Sequence, residues 1–161
     1  MKIVSKQNNS KMCLICGVEN NLGVNAPFYN MEDGSVESVF SFKKEHQSYP
    51  GRVHGGMIAA MLDEIIGRAL WVKNPNGYGV TMSLNVKYRK VVPYETKLKA
   101  VGKITKESDN FFEAQGQIFN TNGELLAEAT GRYFKMKLDE IGSINTSDVN
   151  VYVEDNLENI D

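Results

Sequence analysis

Cysteine is scarce, with only Cys13 and Cys16 among 161 residues. Two cysteines cannot form a disulfide framework, nor supply a complete Cys₄ zinc site within one chain. Long apolar runs are missing too. Nothing approaches the roughly 18 residues of a membrane span, and the start, Met1 to Gln7, lacks an apolar signal core. The expectation is a cytoplasmic protein with no membrane partner. Basic residues are absent after Lys137, where seven acids remain. The preceding residues carry 18 basic and 13 acidic side chains, a net of +5 against −2 overall. A mildly basic body suits a small anionic ligand, but its charge is too scattered for nucleic acid. There is no internal repeat and no sign of a second domain; the length suits one domain with a real core.

What is present is one long stretch with helical periodicity, from Val53 to Val72. With Ile58 as zero and about 100° per residue, Met61, Leu62, Ile65, Ala69 and Val72 fall within about 60° of it. That apolar stripe is wide enough to seat on a sheet. Gly56, Ala60, Asp63 and Gly67 share another face. An acid among residues with almost no side chain admits close approach by a ligand or a second chain. Asp63 lies too deep in the helix to cap it, and positions 59, 60, 66 and 67 hold no Lys or Arg. Glu64 precedes Arg68 by four residues and reads as an ordinary surface pair.

The rest of the chain reads as strands. Residues 28–31 and 36–43 flank Asp33-Gly34, a hairpin signal. Residues 45–53 form a loop, turned by Pro50-Gly51 ahead of the helix, which Asn74-Pro75-Asn76-Gly77 ends. The period then becomes 2: Val80, Met82, Leu84, Val86 and Tyr88 alternate with Thr81, Ser83, Asn85, Lys87 and Arg89, the pattern of a half-buried strand. Three more strands follow, at about 95–106, 111–120 and 125–137. Residues 1–11 are polar and expected to be disordered, 12–26 rich in turns, and 138–161 an acidic mobile tail. Short links imply an antiparallel sheet, and the only cover for its apolar face is the helix. The class is α+β: about six antiparallel strands wrapped around one long central helix. The expected divisions are an N-terminal segment 1–26 bearing the C-x-x-C, a domain 27–137, and the tail 138–161.

Within that frame, His54-Gly55-Gly56, Asp63 nine positions after the His, and the strand Gly79-Val80-Thr81-Met82-Ser83-Leu84-Asn85-Val86-Lys87-Tyr88 resemble the hot-dog fold acyl-CoA thioesterases of the phenylacetyl-CoA thioesterase (PaaI-like) group. The likeness covers roughly residues 28–137. Cys13-x-x-Cys16-Gly17 with Asn20, Asn21 and Gly23 also looks like a segment preceding the domain in some bacterial relatives. The resemblance implies hydrolysis of an acyl-CoA thioester with no cofactor beyond the CoA of the substrate. Asp63 would be the general base or nucleophile, and the Gly55 N–H would polarise the carbonyl. Thr81 would orient the acid or the water, and His54 would sit beside the thioester. Some relatives place an Asn six residues before the His; here that position is Ser48, next to Gln47. Gly56 would allow close approach to the helix start, whose free N–H groups favour an oxyanion. Arg52, Lys87, Arg89 and Lys90 are candidates for the CoA phosphates.

Distance adds a constraint. Gly55 and Asp63 are eight residues apart on one helix, about 12 Å at 1.5 Å per residue. A thioester carbon cannot lie within about 3 Å of both, the reach of an oxyanion donor. If both act, they belong to different chains, so a homodimer or a dimer of dimers is expected, as the family resemblance also implies. Other readings stay open. His46, Pro50 and Gly51 resemble the His-to-Pro-Gly loop of the dehydratase branch of the fold, although the His-Gly-Gly that follows opposes it. A non-catalytic acyl-CoA-binding regulatory domain is the other alternative, weakened by the lack of a preceding DNA-binding helix pair. Met57, Met61 and Met82 either line an adaptable pocket or pack the core. Phe111, Phe112, Tyr133 and Phe134 read as core. The cysteines read first as reduced structural thiols; half of a metal site shared between subunits, or a redox pair, are the alternatives. No metal is expected.

Overall fold

The computed structural model describes residues 1–160. Its strands are β1 (Ile3–Lys6), β2 (Tyr29–Met31), β3 (Val36–Phe40), β4 (Tyr78–Tyr88), β5 (Leu98–Glu107), β6 (Phe111–Asn120) and β7 (Leu125–Met136). They form one antiparallel sheet in the order β1-β2-β3-β5-β6-β7-β4. The long helix α1 (Gly55–Arg68) continues as a 3₁₀ turn, Ala69–Val72. It packs across one face of the sheet, against β3 to β7, so the hot-dog arrangement matches expectation, with one strand more than the sequence suggested.

The apolar stripe of α1 explains its place. Ile58, Met61, Leu62, Ile65 and Ile66 are all at most 4% exposed, and each such burial contributes about 1.5–3 kcal/mol before entropy is counted. The sheet thins where the helix presses on it. A Cβ on Gly102 of β5 would stand 2.4 Å from the Ile65 carbonyl oxygen, so only glycine permits this approach.

Three expectations differ from the structure. Residues 2–11, expected to be disordered, and residues 138–160, expected to be mobile, are paired with each other. β1 adds to β2, and bridges join Asn9 to Val151 and Lys2 to Asn159. Lys6 bonds Asp155 at 2.5 Å, Lys11 lies 3.0 Å from Asp148, and the Tyr29 hydroxyl donates to Asp155. Ile160 packs with Tyr29 and Met31 in a small second core. The tail also forms two short helices, α2 (Leu138–Ile141) and α3 (Thr146–Val149). Neither segment is periodic because each is held by partners from the opposite end of the chain. Asp161, the last tail acid, lies outside the described residues. Second, the Glu64–Arg68 pair forms, at 2.7 Å, but is not a surface pair: Arg68 is 4% exposed. Its guanidinium lies over the rings of Phe28 and Trp71 and donates to Gln7 Oε1 and the Asn8 carbonyl. Third, Val80 and Met82 are exposed, at 38% and 53%.

That last difference has a local cause. β4 pairs with β7 in register from Thr81 opposite Tyr133 to Ser83 opposite Arg132, leaving Met82 as a bulge. The extra residue reverses the alternation at that point. Directly paired residues share a face, so Thr81 lies on the same inner face as buried Tyr133, while Val80 shares the outer face with exposed Phe134.

Candidate active site

The bulge is what brings Thr81 to α1. Its hydroxyl donates to Asp63 Oδ1 at 2.8 Å, and the hydroxyl of Tyr133, its cross-strand neighbour, donates to the same oxygen at 2.7 Å. Tyr133 is 1% exposed; burial, with the Asp63 carboxylate beside it, raises its pKa and keeps it a proton donor. Asp63 Oδ2 accepts no hydrogen bond among the described residues. One carboxylate oxygen is therefore fixed and the other left for water or substrate. Asp63 lines a cleft of about 250 Å³. Gly67, Trp71, Thr81 and Tyr133 form its walls, and Leu138, Ile141, Ile144 and Val149 of the tail give it an apolar side.

The helix start is the second half of the arrangement. His54 is the N-cap of α1, and its Nδ1 accepts from the Gly56 N–H at 2.8 Å. With Nδ1 accepting, Nε2 is the ring nitrogen left to donate. Met57 and Ile58 donate to the His54 carbonyl, so in the first turn the Gly55 N–H alone has no acceptor among the described residues. The exposed Tyr88 ring lies against Gly55, and its hydroxyl donates to the Gly55 carbonyl at 2.8 Å. This ties the helix start to β4. Both halves lie on one helix, so the separation of about 12 Å stands.

Tyr133 and Tyr88 were not among the candidates read from the sequence. Tyr133 was assigned to the core, where it does sit. Its contact with Asp63 follows only from the register that sets it opposite Thr81. The tail's apolar wall had no periodicity to betray it.

The remaining candidates are more scattered. Gln47, Ser48 and Arg52 are exposed on the loop ahead of α1, which is held by the bridge between Gln47 and Val53 and by the Ser48 N–H to the Arg52 carbonyl. Gly56 is exposed at the helix start. Lys87, Arg89 and Lys90 lie exposed at the end of β4 and just after it, but Arg89 is paired with Glu128 and Lys90 with Glu124. His46 is buried, with Nδ1 accepting from the Lys43 N–H and Nε2 meeting the Leu22 carbonyl at 2.6 Å. Both nitrogens are used structurally, which removes the residue on which the dehydratase alternative depends. Met61 is core, Met57 half-buried and Met82 exposed; none of the three lines the cleft.

Known proteins resemble this chain in sequence and in fold. Residues 50–127, which include α1, the bulged strand and the first residues of β7, match the family model described as Thioesterase superfamily. The chain belongs to the thioesterase superfamily. Among its relatives, rat acyl-coenzyme A thioesterase THEM4 is 27% identical over 116 residues, which is 71% of this chain and 49% of that protein. The chain thus spans about half the length of that curated relative. A crystal structure of the thioesterase superfamily protein RHA08564 superposes with a TM-score of 0.70 at 27% identity, covering 76% of this chain and 63% of the other. A Bacillus halodurans protein solved with CoA gives a TM-score of 0.60 at 28% identity, covering 68% and 73%. In this superfamily member no helix among the described residues is long and apolar enough to cross a membrane.

Proposed function

We propose that this thioesterase superfamily member hydrolyses acyl-CoA to a free acid and CoA, as a cytoplasmic enzyme of the PaaI-like group. The observation that carries the reading is Asp63, which lines a cleft with one apolar side and has Oδ1 held by two hydroxyls and Oδ2 without a hydrogen bond among the described residues. Oδ2 takes a proton from an attacking water, or attacks the thioester carbon itself. The CoA seen with the Bacillus halodurans relative supports a CoA thioester as substrate, and the apolar tail residues suit its acyl group.

As the carbonyl carbon becomes tetrahedral, its oxygen gains negative charge. The unpaired Gly55 N–H, at the positive end of α1, is positioned for that charge. His54 Nε2 offers a further donor at the same end. Gly55 and Asp63 of one chain cannot serve one substrate, so the site joins Asp63 and Thr81 of one protomer to Gly55 and His54 of another, with two sites per dimer. The outer edge of β4, with Val80 and Met82 exposed, supports such self-association, since long apolar edges are usually covered. Of the four candidate cations for the CoA phosphates, Arg52 and Lys87 have no ion-pair partner among the described residues, whereas Arg89 and Lys90 do.

The test uses two variants. Asp63→Asn removes the carboxylate chemistry. Gly55→Pro deletes the N–H at a helix position that tolerates proline, after a His54 already extended at φ −62° and ψ 135°. Each alone is expected to be nearly inactive on a panel of acyl-CoAs. Unfolded, mixed and refolded together, they should regain about a quarter of wild-type activity, because half the dimers then carry one intact site of two. No recovery from folded mixed dimers would refute the shared site, and full turnover by folded Asp63→Asn would refute the chemistry.

A further inference from the structure

The turn formed by residues 13–17 packs against α1 beside Glu64, and it has the form of a metal knuckle. Cys13 Sγ accepts the Ile15 and Cys16 N–H groups, both at 3.4 Å, and Cys16 Sγ accepts the Ser10 N–H at 3.4 Å. Amides aimed at both sulfurs favour thiolates as metal ligands. Gly17 is required by the turn: a Cβ there would stand 2.2 Å from the Cys13 carbonyl oxygen. The sequence offers only two cysteines, but the fold adds a third donor. Sγ of Cys13, Sγ of Cys16 and a carboxylate oxygen of Glu64 lie within 4.8 Å of one another.

We infer that Cys13, Cys16 and Glu64 bind a zinc-class divalent cation that clips the N-terminal segment to α1. Cys13 Sγ is 3.7 Å from Glu64 Oε2, against about 3.5 Å for the sulfur–oxygen edge of a tetrahedron with Zn–S of about 2.3 Å and Zn–O of about 2.0 Å. Glu64 is divided for the task. Oε1 accepts from Arg68 Nε at 2.7 Å, and Oε2 faces the sulfur. Arg68 therefore orients the ligand and balances the charge of two thiolates and a carboxylate around a dication. Binding releases the two thiol protons to solvent. Cys13 and Glu64 both border the cleft, so water can complete the fourth position from that side. The softness of two thiolates selects zinc over magnesium or calcium.

The full-length chain, reduced and supplied with Zn²⁺ and then freed of excess metal, should retain about one zinc per chain by elemental analysis. X-ray absorption should show two sulfurs and two lighter ligands. Chelation should lower the thermal midpoint, and Zn²⁺ but not Mg²⁺ should restore it. Cys13→Ser, at a half-exposed position, should lose the zinc; Glu64→Gln should weaken it by at least about 10-fold. Asp63→Asn should keep it. The inference is overturned if the folded, reduced wild type retains no zinc. It is equally overturned if the purified chain carries a Cys13–Cys16 disulfide that zinc under reducing conditions does not replace, or if the metal follows Asp63 and not Cys13.

Discussion

Asp63 and Glu64 are adjacent on α1 and serve opposite halves of the molecule. Asp63 faces the sheet, where hydroxyls of β4 and β7 hold one oxygen and the other accepts no hydrogen bond among the described residues. Glu64 faces the N-terminal segment, where Arg68 takes one oxygen and Cys13 approaches the other. A carboxylate left one open oxygen can react. A carboxylate shared between a buried cation and a neighbouring segment holds structure together. One residue of helix, about 100° of rotation, separates the two roles.

Substitutions can break that contrast. Asp63→Asn keeps the shape and should lower kcat/KM by about 10³-fold, with the thermal midpoint near wild type in the same preparation. Equal losses of activity in Asp63→Asn and Glu64→Gln would erase the distinction. Glu64→Gln leaves the buried Arg68 without its anion and should cost about 1–3 kcal/mol of stability, read from denaturant unfolding. Its loss of kcat should be at least about 10-fold smaller than that of Asp63→Asn. Tyr133→Phe and Thr81→Ala each remove one hydroxyl from Oδ1. Steady-state kinetics should show kcat reduced roughly 10-fold for each, as expected for one bond to a charged group, and Thr81→Ser should restore most of it.

The smallest effect concerns the docked tail. Burial raises the Asp155 pKa, but hydrogen bonds from Lys6 and Tyr29 outweigh it and leave it below the usual carboxylate range. Its contribution is therefore complete above the ordinary Asp value and is lost as pH falls through the lowered one. Asp155→Asn should cost under about 1 kcal/mol. Amide exchange in residues 2–9 should accelerate in this variant at neutral pH, and in the wild type only in acid; unchanged exchange in the variant would mean that Asp155 does not hold the tail.

Much of this was legible in residue order. The 3.6 period of residues 53–72 and the period of 2 from Val80 onward gave helix and strands, because burial of one face imposes those spacings. Asp63 stood out because its helical neighbours are small. His54, Gly55 and Gly56 mark a helix start with free N–H groups, and helix rise alone separates them from Asp63. The contacts made by partners distant in sequence were not legible. Thr81 reaches Asp63 because a bulge at Met82 reverses the strand's alternation, which a strict period of 2 places on the wrong face. Tyr133 joins through sheet register. Glu64 gains the cysteines when the N-terminal turn packs against α1, and Asp155 gains Lys6 and Tyr29 only after the two ends of the chain pair. Local periodicity determined the elements and the candidate acid of this thioesterase superfamily chain. Tertiary structure decided which groups surround each acid, because those contacts depend on register, a bulge and chain-end pairing that leave no periodic trace in the sequence.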